Sequence, residues 1–367
     1  MAVLPSRVYY DVLISNLDNR QNRPEPAVFS QTRNTPFIMD PSKYFLSIVR
    51  WTLDTSSLPI FTPMMDPRAG NGLIDADTTI YSITLQYGDV ISRAPVRFIP
   101  QDLKASVPLS PFQLGGIQNN NQGYYYVYAY AYVIFLINNC FRAAFDELVI
   151  LAAAAGTPLP VATVAPYLTF VNTTQTAFLT CSNDGFGPAT IGNKIDIYFN
   201  TSLASLFSSF PYEIEYGVGQ FGKNFKLILD IGVDIALADP TFIIEQEYST
   251  ISVWNPVMSI SVMSNNLGVI QNVEGKPTLY YNNTLLNGSG NNSVSSNLIT
   301  DFVADVYVPS IIYVPSAEYR RIELVGNMPL SNLDLAIFWK DRVGVLNQFL
   351  LPVGGSCSIK LMFEIKS

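Results

Sequence analysis

Residues Ser331 to Lys366 read SNLDLAIFWKDRVGVLNQFLLPVGGSCSIKLMFEIK. In steps of two, Leu333, Leu335, Ile337 and Trp339 fall on one face, and Asp334, Phe338 and Lys340 on the other. Beyond a Pro-Val-Gly-Gly break, Cys357, Ile359, Leu361, Phe363 and Ile365 alternate with Ser358, Lys360, Glu364 and Lys366. Strand side chains point to opposite faces in turn, so this pattern between turn residues predicts two half-buried strands.

The same texture opens the chain. VYYDVLISN, KYFLSIVRWTLD and TTIYSITLQYG read as strands, the last with Tyr81, Ile83, Leu85 and Tyr87 on one face. PFQLGGIQNNNQG is a polar, low-complexity boundary. After Gly123 comes the one convincing long helix, YYYVYAYAYVIFLINNCFRAAFDELVILAAAAG. Arg142 and Asp146 share its polar stripe at i,i+4, and Gly156 with Pro158 stops it. Short strands PYLTFV, TAFLTC and KIDIYFN follow. Next is a short helix in TSLASLFSSF, with Leu203, Leu206, Phe207 and Phe210 on one face, and then FKLILDIGVDI. From about Glu245 the strand-only texture returns. Strands, a mixed insert and strands again predict a mainly β fold, a sandwich or jelly roll, whose outer domain is discontinuous around an insert long enough to be its own α+β subdomain. The expected boundaries are 1–105 and 245–367 for the roll and 106–244 for the insert.

Composition narrows the function. Of 367 residues, 49% are hydrophobic and 14% charged, so few charges are available to cover a free surface; much of the outside is expected to meet other protein. The net charge is −8 and no basic arm or Lys/Arg cluster is present, which argues against direct genome binding. Cys140, Cys181 and Cys357 are too sparse for a disulfide framework or a metal site and fit a reducing compartment. No signal peptide is apparent at the start, and the longest apolar run carries Asn138, Asn139, Arg142, Asp146 and Glu147, too polar for a membrane span. There is no histidine, which removes Ser-His-Asp triads, His-activated thiols and His-ligated metals.

Four local motifs read best as structure. GVGQFGKN, Gly217 to Asn224, nearly matches a P-loop. Asn224 replaces the magnesium-binding hydroxyl, and a strand pattern follows where a helix is needed. Asp66, Asp75 and Asp77 share a loop without EF-hand spacing. Sequons at Asn172, Asn200, Asn282, Asn287 and Asn291 lie in an Asn/Thr-rich chain with no secretory signal. Trp51, Trp254 and Trp339 sit in strand patterns as core residues. No catalytic, cofactor-binding or metal-ligating residue is assigned.

The closing region, from YVPSAEYRRIELVG onward, resembles the C-terminal part of penton (minor capsid) proteins of virophages and Polinton-like viruses. The matching positions are Arg320, Pro329, Leu330, Asp334, Trp339, Gly344, Pro352, Lys360 and Phe363. WNPVMSISVMSNNLGVIQNVEG is similar to another family segment through Trp254, Asn255, Pro256, Ser264 and Glu274, with Gly268 where proline is expected. YYYVYAYAYVIFLINNCF and the strands after it also look like the family's insert. The resemblance implies a single jelly roll (an antiparallel β-sandwich) with a large inserted α+β subdomain and the final strand at the fold's edge, in a structural, non-enzymatic capsid protein at the virion vertex, made inside the host cell. It implies a homopentamer flanked by trimers of a double-jelly-roll major capsid protein, with an outward insert open to a host receptor. The alternative is a jelly-roll attachment or glycan-binding module, fibre-head or lectin-like, using the tyrosine run as an aromatic patch. A carboxylate glycosidase needs two close acids in a cleft, and the sequence names no pair.

Overall fold

The computed structural model of the chain describes residues 6–17, 24–116, 118–187, 193–215, 224–229, 240–269, 280–281, 284–285, 297–303, 310–313, 320–342 and 344–366. Contacts divide the chain into two compact units. One is Met1–Pro59 with Pro256–Ser367, and the other is Ile60–Asn255. The sequence pattern sets its borders at 105/106 and 244/245. Thr78–Tyr87, read with the outer strands, pairs instead with Val90–Arg97 and Ile195–Phe199. Alternation reports that a strand has a buried face; it does not report which sheet the strand joins.

The first unit contains eight principal strands, numbered in chain order. They are β1 (Arg7–Ser15), β2 (Val28–Thr32), β3 (Tyr44–Asp54), β4 (Val257–Ser264), β5 (Asn297–Val303), β6 (Ser310–Tyr313), β7 (Asn332–Asp341) and β8 (Ser356–Ile365). One sheet has the order β1-β8-β3-β6 and the other β2-β7-β4-β5, with antiparallel pairing throughout. The chain changes sheet at nearly every connection, and its first and last strands lie side by side. This is a single jelly roll. Two of the further short strands, Ile322–Glu323 and Leu346–Gln348, extend the sheets beside β3 and β7.

The roll's interior follows from period-two alternation. Leu333, Leu335, Ile337 and Trp339 of β7 are buried, as are Cys357, Ile359, Leu361 and Phe363 of β8 and Leu46, Ile48, Trp51 and Leu53 of β3. Each large apolar side chain so buried stabilises the fold by about 1.5–3 kcal/mol. Trp51 of one sheet meets Phe302 of the other with ring centroids 4.4 Å apart.

Two expectations for this region are corrected. Strand β8 lies between β1 and β3 and is central. Side-chain alternation identifies the faces of a strand but carries no information on its flanks. Phe338, placed by periodicity on the polar face, is buried there in a second apolar cluster with Met263 and Leu346.

In the second unit, a five-stranded sheet has the order Tyr212–Ile214, Phe225–Leu227, Ile195–Phe199, Thr78–Tyr87, Val90–Arg97. A three-stranded sheet is formed by Thr241–Glu245, Thr176–Ser182 and Tyr167–Val171. The helix Tyr130–Ala154 packs against members of both sheets. It buries Val133, Ile137, Cys140, Phe141, Ala144 and Leu148 and leaves Arg142, Asp146 and Glu147 in solvent. Its polar groups also fix neighbours: Asn138 Nδ2 donates to Leu168 O at 2.9 Å and its Oδ1 accepts from Leu168 N at 2.7 Å. Gly156, at φ +75°, takes the left-handed conformation that ends the helix. The helix starts later than the sequence pattern, because Gly123–Tyr125 form a separate 3-10 turn.

Candidate assembly surface

The cysteines and the acids of the Asp66–Asp77 loop are engaged in structure. All three cysteines are free and buried. Burial pushes the thiols of Cys140 and Cys357 up to about 12, so neither is a thiolate near neutrality. Asp66 pairs with Arg68 at 2.8 Å, which holds its carboxyl below the usual range, and Asp75 pairs with Arg97. Asp77 accepts from the Tyr124 hydroxyl at 3.0 Å, and burial raises its pKa. Among the described residues, no cluster of three or more Cys, Asp or Glu side chains is arranged to hold a metal ion. Among the described residues, no helix is long and apolar enough to cross a membrane.

The sequence motifs resolve in the same way. Gly217 to Lys223 of the P-loop-like segment lie outside the described residues, as do Glu274 and the sequons at Asn282, Asn287 and Asn291. Asn200 caps the helix Thr201–Leu206: its Oδ1 accepts from Leu203 N at 3.1 Å and its Nδ2 donates to Ile80 O at 2.7 Å. That amide nitrogen is therefore committed to the fold. Trp51, Trp254 and Trp339 are all buried, and Trp254 Nε1 donates to Leu206 O at 2.6 Å. Tyr124 and Tyr125 pack with Phe98, and Tyr130 stacks on Phe170. Of the run read as a possible exposed aromatic patch, Tyr124 and Tyr125 are buried, Tyr126, Tyr130 and Tyr132 are half-buried, and Tyr128 is exposed.

The positions carrying the resemblance shape turns and strand contacts of the roll. Asp334, on β7, accepts from Ser264 Oγ at 2.7 Å and from the backbone N–H groups of Asn265 and Asn266, both at 2.9 Å. One carboxylate thus organises the turn that leaves β4, and Ser264 Oγ extends the pattern by accepting from Leu267 N at 2.9 Å. Gly344, at φ +91°, makes the turn after β7. Gly268 has a local reason to lack a side chain: a Cβ there would meet Val325 O at 2.9 Å. On the outer side of the β1-β8-β3 sheet, Glu364 joins Arg7 at 2.7 Å and Arg321 at 2.9 Å. Nearby, Asp11 lies 3.7 Å from Lys360 and 3.8 Å from Arg50.

The remaining feature is exposed apolar surface. In the roll, Leu13, Leu17, Met39, Ile312, Met328 and Val303 are open to solvent. In the second unit, Leu103, Val107, Leu109 and Phe112 project from one irregular segment. Exposed apolar side chains mark surfaces that meet other proteins where they gather into a contiguous patch. The low charge content pointed to such contacts; it could not locate them, because exposed apolar residues in loops have no periodicity.

The family model for the Sputnik minor capsid protein V18/19 matches residues 8–365. The chain belongs to this family. It is a structural minor capsid protein, a component of a virion. Relatives in the Sputnik virophage include the structural protein V19, 29% identical over 196 residues, or 48% of this chain and 84% of the relative. A second is the uncharacterized protein V18, 32% identical over 146 residues, covering 39% and 85%. A chain in the cryo-EM structure of the Sputnik virophage superposes with a TM-score of 0.79 at 26% identity, over 99% of both chains. The crystal structure of the mavirus penton protein gives 0.62 at 16% identity, over 98% of this chain and all of the other, a likeness of fold.

Proposed function

We propose that this minor capsid protein is the penton subunit of its particle, five copies of which close each icosahedral vertex. The observation that carries the reading is the whole-length likeness to a chain of the Sputnik particle, with the same fold recurring in a protein described as a penton. A ring of identical subunits needs two different contact patches on each copy, since the interface is heterologous. The exposed apolar residues of the roll supply surface for them. Neighbours in the shell are trimers of a double-jelly-roll major capsid protein. The inserted subdomain faces outward, where it is open to a host surface receptor. The role is architectural and not enzymatic; it requires no cofactor, membrane span or contact with the genome, and assembly takes place inside the host cell in a reducing compartment. An icosahedral reconstruction of purified particles tests this. The proposal expects the roll to fit density on the fivefold axes; density for it at threefold or general positions overturns it.

A further inference from the structure

The order of the first sheet leaves β1 at an edge. Its register with β8 identifies which backbone groups are free. Ile365 N donates to Ser6 O and Asn16 N donates to Gly355 O, so even-numbered residues exchange hydrogen bonds with β8. The N–H and C=O groups of Tyr9, Asp11 and Leu13 therefore point away from the sheet. Among the described residues no backbone group pairs with them. Natural sheets blunt such edges with charged side chains, prolines, bulges or short strands, and of these β1 carries the charged Arg7 and Asp11. This edge has nine residues, an unbroken register with β8 and exposed Tyr9 and Leu13.

An open cleft of about 470 Å³ borders the same strand, lined by Val8, Tyr9, Tyr10, Pro36, Phe37 and Arg33. The guanidinium of Arg33 lies over two rings, 5.2 Å from the centroid of Tyr10 and 4.8 Å from that of Phe37. Among the described residues it has no carboxylate within ion-pair distance. The other basic groups near this edge are taken: Arg7 by Glu364, Lys360 and Arg50 by Asp11. A free strand edge recognises extended backbone, and a stacked guanidinium recognises a carboxylate.

We infer that β1 and the Arg33 cleft form an acceptor site for an extended, carboxylate-bearing segment of a second copy of this chain, added as a further strand. The charge balance favours that occupant, since the chain carries 29 acidic against 21 basic residues. The inference rests on the ring proposed above and names one of its two patches. Such a contact is heterologous, as ring closure requires, because the accepting edge and the inserted segment are different parts of the chain.

The test uses the full-length protein. Leu13→Pro removes only an outward N–H, which edge strands tolerate, and Arg33→Glu reverses the cleft's charge. Circular dichroism and thermal melting check folding, and native mass spectrometry reads the ring. Both variants are expected to fold and to weaken the ring by about tenfold or more, with Arg33→Lys retaining more of it than Arg33→Glu. Hydrogen exchange of the peptide covering residues 7–15 should slow in the ring relative to the dissociated subunit. Equal exchange in the two states, or full rings from both variants, overturns the inference and leaves the pentamer standing. Protection found only in whole particles also overturns it, by assigning the edge to a different shell protein. A wild-type protein that forms no ring removes the pentamer first and this inference with it.

Discussion

Trp51 Nε1 donates to Cys357 Sγ at 3.2 Å, joining residues 306 positions apart. The contact ties β3 to β8 in the interior of the roll. The segment that closes the chain thus completes a core begun by its first fifty residues, and the inserted unit Ile60–Asn255 interrupts the sequence of the roll without interrupting its sheets.

Strand β8 is hydrogen-bonded on both flanks, and Leu361 and Phe363 are buried. Leu361→Ala and Phe363→Ala should each cost roughly 2–5 kcal/mol, the range for truncating large core side chains. Urea unfolding measures this. An unchanged midpoint for Phe363→Ala contradicts the placement of β8.

Asp334 receives three hydrogen bonds from the turn Ser264–Asn266. The two backbone donors are exposed and water can take over the lost bonds, so Asp334→Ala should destabilise by about 0.5–1.5 kcal/mol, and Ser264→Ala by less. Chemical denaturation of the two variants and their double mutant checks the coupling. Additive effects would show that the carboxylate and the hydroxyl act separately.

Glu364 gives a pH signature. Its hydrogen bond from Arg7, assisted by Arg321, lowers its pKa below the ordinary 4.5. A carboxyl whose pKa is lower folded than unfolded adds stability fully above the unfolded value and loses it as pH falls through the folded one. The stability gap between wild type and Glu364→Gln should be widest near neutrality and shrink below pH 4.5. A gap that stays constant from neutrality into acid would mean the charge on Glu364 contributes nothing.

Much of the roll was legible because its strands bury one face, as at Leu333 to Trp339 and Cys357 to Phe363. The resemblance could be recognised because Asp334, Ser264 and Gly344 hold turns, and turn chemistry constrains residue type. What escaped was pairing. Thr78–Tyr87 looks like a strand of the roll and belongs to the other unit; β8 looks terminal and lies in the middle. Both depend on contacts distant in sequence, which local periodicity does not encode. The surface was least legible. Leu103 to Phe112 lie in a loop, and the free edge of β1 is defined only by its register with β8.

If closing contacts belong to the roll, replacing Ile60–Asn255 by a short Gly/Ser linker should leave a protein that folds and still forms rings. A folded monomer from this variant would place the contacts in the inserted unit.

The central claim is fivefold closure. Native mass spectrometry of the purified full-length protein, with rotational averaging of its electron micrographs, tests it most directly. The account predicts a mass of five chains and fivefold symmetry; a mass of three chains with threefold symmetry would contradict it.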